Sequence, residues 1–137
     1  MGLFVRILLG GLIVFAFVWT SILLLSLLAI WSPWPRDWWA HHPYWVFHGS
    51  QALVLVPSVI ALGLLLSKLY RRHAVLSALA SVTLALLVAF ADSLTDPKAL
   101  MVLVRETWTD FAPFLFGPPL VVALVEHLRS NNRWSGP

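Results

Sequence analysis

The chain has 137 residues, of which 60% are hydrophobic and 11% charged, and its mean hydropathy is +0.86. A soluble domain has roughly 45–50% apolar and about 25% charged residues, so this chain lacks the polar side chains to cover a water-facing surface, and its composition belongs in a membrane. A net charge of +3 and a pI near 10.0 do not describe a nucleic-acid binder, because the nine Lys and Arg stand singly or in threes beside hydrophobic runs; zero cysteines exclude disulfides and thiolate metal sites.

Ile7 to Trp31 is 25 residues without a charge, about 37 Å as a helix against a hydrocarbon core of roughly 30 Å. It reads as a tilted first span over about 7–31. A secretory signal has a shorter apolar core and small residues at its end, whereas this run closes on Ile30 and Trp31, so the helix is expected to be retained. Arg6 stands where N-myristoylation requires Ser or Thr. Residues 32–43 contain Pro33, Pro35 and Pro43 with Trp34, Trp38 and Trp39, which cannot continue a helix and read as an outer interfacial loop.

The second span covers about 44–67, opened by Pro43 where a missing N–H costs nothing, with Pro57 as a kink site. Lys68, Arg71 and Arg72 make a short loop, 68–72, that anchors the chain at the opposite surface, and His73 follows it. The third span, 73–91, is just long enough to cross. In the outer segment 92–110, Asp96 is a helix N-cap and Pro97 the first helical residue; this helix lies at the membrane surface or forms the outer part of a long kinked helix. The fourth span, 111–128, contains Pro113, Gly117, Pro118 and Pro119 and reads as Pro-kinked and interrupted; the polar tail 129–137 is expected to fray. The expected fold is all-α, a single domain over 1–137 forming an integral membrane four-helix bundle with a short outer helix before its last span.

The distribution of charge orients these spans. One side carries Arg6, Lys68, Arg71, Arg72, Arg129 and Arg133 against Glu126; the other carries Arg36, Lys98 and Arg105 against Asp37, Asp92, Asp96, Glu106 and Asp110. The positive-inside rule then puts both termini in the cytoplasm of a bacterial-type inner membrane, N-in and C-in. Trp31, Trp34, Trp38, Trp39, Tyr44 and Trp45 become an aromatic belt at the outer interface.

Mid-span positions carry Trp19 and Thr20, Leu55 to Ser58, Ser81 to Leu84, and Pro118 to Val121, none of them ionisable. Proton relays, intramembrane acid proteases and voltage sensors place costly ionisable groups at that depth, so the pattern favours a non-catalytic protein. Ser77, Ser81, Ala85 and Ala89 recur four apart as a strip of small side chains, suited to close helix packing within the chain or against another subunit. His41, His42 and His48 share the outer side with Asp37, Asp92 and Asp96 and could hold Zn²⁺ or Cu²⁺, or His48 a haem or quinone, but adjacent His41 and His42 fit no strong ligand spacing and no cofactor is expected. Gly117, Pro118 and Pro119 would free backbone carbonyls that could bind an ion or substrate, with Ser50, Gln51 and Ser58 as candidate partners. Glu126 and Arg129 read as a surface pair.

The stretch from Pro33 to Phe47, tryptophan and proline followed by Tyr44, Trp45, Val46 and Phe47, resembles the loop after the first helix in the tryptophan-rich sensory protein (translocator) family. That family has more spans and further Trp/Pro motifs than this chain, and the resemblance implies no porphyrin or sterol ligand here. The expected function is that of a non-catalytic subunit, assembly or accessory factor of a larger membrane complex. Its partners would be lipid and other integral membrane subunits or a second copy, with no nucleic acid. The alternatives are a small transporter or channel using the broken fourth helix, and an outer-face histidine metal or cofactor site.

Overall fold

A computed structural model describes residues 2–31, 34–70 and 73–134, with backbone alone for 39, 103, 106, 107, 109, 110 and 132–134. Every regular element among them is helical: α1 (Leu3–Ile30), α2 (Arg36–His41), α3 (Pro43–Leu69), α4 (Ala74–Ala89), α5 (Ala91–Leu94) and α6 (Pro97–Trp134). Three helical stretches are long and apolar enough to cross a bilayer: α1, α3 and Phe111–Asn131 of α6. Their outward faces are as apolar as their inward ones; Leu12, Leu23, Leu120 and Leu124 are all more than half exposed. Helices that are hydrophobic all round require lipid on the outside, and this is a membrane protein. The apolar helix α4 has 16 residues and is about 24 Å long, shorter than the 19-residue reading of its segment.

Several boundaries differ from the sequence reading for local reasons. The Trp/Pro segment holds a helical turn and more, α2, because its prolines lie at or outside the ends: Pro35 is the N-cap and Pro43 opens α3. Of the two readings of the segment after Pro97, the long helix holds: α6 is continuous, with Pro113, Pro118 and Pro119 inside it, and the expected interruption of the last span is absent. Nothing between Pro97 and Phe111 breaks helical geometry, and a proline costs a helix one donor rather than its course when neighbours pack around it. Pro57 is likewise accommodated inside α3. The expected fraying tail is helical through Trp134. The Asp96 cap is present, its carboxylate accepting from the Lys98 N–H at 2.9 Å. The anchor residues Arg71 and Arg72 lie outside the described residues.

Two close contacts organise the packing. On α1, Gly10 and Gly11 face Ser81 and Leu84 of α4, and a Cβ at Gly10 would sit 2.6 Å from Ser81 Oγ. Small residues on both helices let the backbones approach, the means by which helices associate in lipid. Hydrogen bonds tie this contact together: Tyr70, one residue past α3, donates its hydroxyl to the Arg6 carbonyl at 3.0 Å and meets Ser81 Oγ, which reaches the Ser77 carbonyl at 2.9 Å and that of Ile7 at 3.2 Å. Burial pushes the Tyr70 phenol above its ordinary pKa, the Ser81 hydrogen bond pulling the other way, so the group stays a neutral donor. The second contact is reciprocal. Val59 and Gly63 of α3 face Gly117 and Val121 of α6, and each valine seats over the other helix's glycine. Arg129 Nη1 donates to the Ser67 carbonyl at 3.4 Å, covering the C-terminal end of α3 in place of the expected pairing with Glu126.

Candidate functional site

Because α4 is short, it ends well before its neighbours do. Its last turn closes at Phe90, whose N–H bonds the Leu86 carbonyl at 3.0 Å and whose ring packs on Phe111 at 5.6 Å between centroids. Past that level α1 runs on to Ile30 and α3 comes in from Pro43, and a cavity of about 460 Å³ opens between them. Phe90, Phe111 and Phe114 close it on the α4 and α6 side. From α1 it is lined by the stretch Val18 to Ala29, including Ser21, Ile22 and Ser26. Phe47, Ser50, Gln51 and Leu55 complete it from α3. Every described lining side chain is uncharged.

The polar groups of the cavity are held in defined orientations. Trp34 Nε1 donates to Ser50 Oγ at 3.1 Å, and the Trp34 ring stacks on Trp38 at 5.8 Å with a 15° interplanar angle. His48 Nδ1 is 3.0 Å from Gln51 Oε1, so the protonated nitrogen donates to the amide oxygen; the His48 ring packs edge-on against Tyr44 at 4.2 Å. Ser26 donates to the Ile22 carbonyl at 2.9 Å. Ser21 donates across the interface to Ser58 at 3.1 Å, and Ser58 in turn to the Val54 carbonyl at 2.7 Å. The Ser21–Ser58 bond fixes the register of α1 against α3. At 1.5 Å per residue, Ser50 and Gln51 then fall at about the depth of Ala29, and Leu55 about midway to Ser21.

A second feature is the N-terminal part of α6. Residues 97–110 precede the spanning stretch Phe111–Asn131, about 21 Å of helix, and expose Met101, Val102, Val104 and Trp108 together with Lys98 and Arg105.

His41, His42 and His48 are dispersed. His41 donates from Nδ1 to the Asp37 carbonyl at 2.8 Å, His42 packs edge-on against Trp38, and His48 holds Gln51. Among the described residues no three His, Asp or Glu side chains come together as a metal site. The small-residue strip faces inward: Ser77, Ser81 and Ala85 are buried beneath α1 and α6, and Ala89 is partly so. Gly117 packs on Val59, Pro118 and Pro119 are buried, and the cavity touches α6 at Phe111 and Phe114 instead. Ser50 and Gln51, read from sequence as partners for freed carbonyls, line this cavity. Sequence reasoning missed the three phenylalanines; Phe90 and Phe111 each begin or end an apolar run, and only their ring contact reveals a wall. Comparison with protein-family models, curated proteins and solved structures found no match.

Proposed function

We propose that this chain is a small four-span protein of a bacterial-type inner membrane, both termini cytoplasmic, that serves as a non-catalytic accessory subunit of a larger membrane complex. In this reading α4, extended by Phe90 and α5, is the remaining span of a four-helix bundle. The observation that supports the subunit role is the outer part of α6. It is too charged for the hydrocarbon core yet exposes Met101, Val102, Val104 and Trp108 to its surroundings, and an exposed apolar run beside charged residues is what the rim of a partner's surface covers. The partner is a different integral membrane protein whose outer edge lies at the headgroup level.

A photoreactive amino acid placed in native membranes at Met101, and separately at Trp108, two turns apart on one exposed face of α6, tests this. Both positions are expected to capture the same single partner, and Leu64 and Leu124, on the lipid-facing surface, to capture none. Adducts only with lipid or with a second copy of the chain would overturn the accessory role. The topology is read separately, because the chain has no cysteine of its own. A cysteine in place of Asp96 should react with a membrane-impermeant maleimide in intact cells, and one in place of Lys68 only after permeabilisation.

A further inference from the structure

The outer-half cavity has a chemistry of its own, independent of any partner at α6. Its lining from Val18 to Ala29 spans about 16 Å along the helix axis. An apolar cavity of about 150 Å³ takes one benzene ring. The 460 Å³ here therefore accommodates one such ring with a short run of tail. Phe47, Phe90, Phe111 and Phe114 contribute aromatic walls from opposite sides, a surrounding that favours a flat ring in offset or edge contact. With no charged side chain among the described lining residues, a phosphate or ammonium head would lose its hydration uncompensated.

The polar end is equally specific. Ser50 Oγ already accepts the Trp34 indole proton, so its own hydroxyl proton is the group it offers at the outer end of the cavity, and a hydroxyl donor is matched by a carbonyl. Ser26 and Gln51 lie at nearly the same depth, Leu55 is about midway down, and Val18 and Phe114 form the apolar end, where the Ser21 hydroxyl is given to Ser58. We propose that the cavity binds the head of an isoprenoid quinone, its ring among the phenylalanines, one carbonyl accepting from Ser50, the first carbons of its tail lying toward Leu55 and the rest leaving through the open side of the cavity into the lipid. No redox step is involved; the site holds the neutral quinone.

Purified full-length protein in a mild detergent, titrated with a decyl-tailed benzoquinone and observed by native mass spectrometry, tests the assignment. One quinone per chain is expected, saturably, and neither dioctanoylglycerol nor dioleoylphosphatidylglycerol should displace it. Ser50→Ala should weaken binding by about three- to tenfold, the worth of one hydrogen bond. Ile22→Trp pushes an indole into the space the quinone ring would take and should weaken binding at least tenfold, while Leu23→Trp, on the exposed side of the same helix, should bind as the parent does. The proposal is overturned if no saturable quinone complex forms, if diacylglycerol displaces the quinone, or if Ser50→Ala and a folded Ile22→Trp both bind like the parent. A chain that captures no partner through α6 yet binds quinone would separate this site from the accessory role.

Discussion

Gly63→Ala is the most informative single perturbation of the fold. A Cβ at this position would lie 2.6 Å from Val121 Cγ1, closer still to Val121 Cβ, and 3.2 Å from the Pro118 carbonyl oxygen. Neither Val121 Cβ nor the Pro118 oxygen is the end of a flexible side chain, so α3 and α6 must part. A gap of about 0.5 Å forfeits roughly a quarter of the dispersion energy at each contact, and a buried aliphatic side chain makes some 40 contacts of about 0.15 kcal/mol. For the four aliphatic residues at or beside the seam, Val59, Leu62, Val121 and Val122, with about half of each residue's contacts crossing it, that is about 3 kcal/mol. Replacing a helical glycine by alanine returns about 1 kcal/mol of helix propensity, leaving a net destabilisation of about 2 kcal/mol. Reversible unfolding in mixed micelles, followed by tryptophan fluorescence, measures it. The same substitution should become neutral or stabilising in a Val121→Gly background and remain destabilising in Val121→Ala, which keeps the offending Cβ. A neutral Gly63→Ala in the parent, or equal relief by both backgrounds, would refute the seam geometry.

Other substitutions test separate contacts in the same unfolding assay. Tyr70→Phe removes the hydroxyl that joins α1 and α4 but leaves Ser81 bonded to Ser77, and should cost about 1 kcal/mol. Gly11→Ala should be close to neutral, because the nearest atom is the tip of Leu84 at 3.2 Å and that side chain can rotate away. A double-mutant cycle between Ser21→Ala and Ser58→Ala should return a coupling of about 0.6 kcal/mol, the usual worth of an interhelical hydrogen bond in a membrane. Asp96→Ala should destabilise the start of α6 by about 1 kcal/mol, seen as faster amide exchange in the first turn with little change at Phe111 and beyond.

Properties that depend on neighbours along the chain are legible in the sequence. The long apolar runs of α1 and α3, the Asp96–Pro97 helix start and the sorting of charge to the ends of the runs all follow from local composition and capping chemistry. Even so, the Trp/Pro segment and the last span show where local reading stops: whether a proline ends a helix depends on what packs beside it, and α6 continues through three of them.

The candidate site was visible only in fragments. Ser50 and Gln51 stand out as polar residues in an apolar span, but the pattern of α3 does not say which helix they face. Likewise the strip of Ser77, Ser81 and Ala85 is evident as a sequence pattern, while its burial depends on Gly10 and Gly11, some seventy residues away, offering a surface flat enough to receive it. Gly117 looked like a break and is a seat for Val59. Local sequence thus determined that the chain is helical, membrane-embedded and polarised in charge, because those properties come from short-range hydrogen bonding and transfer free energy. Tertiary structure alone decided which faces meet and where α4 stops relative to α1 and α3. The cavity is the space left by that mismatch of helix lengths, a property of no single segment.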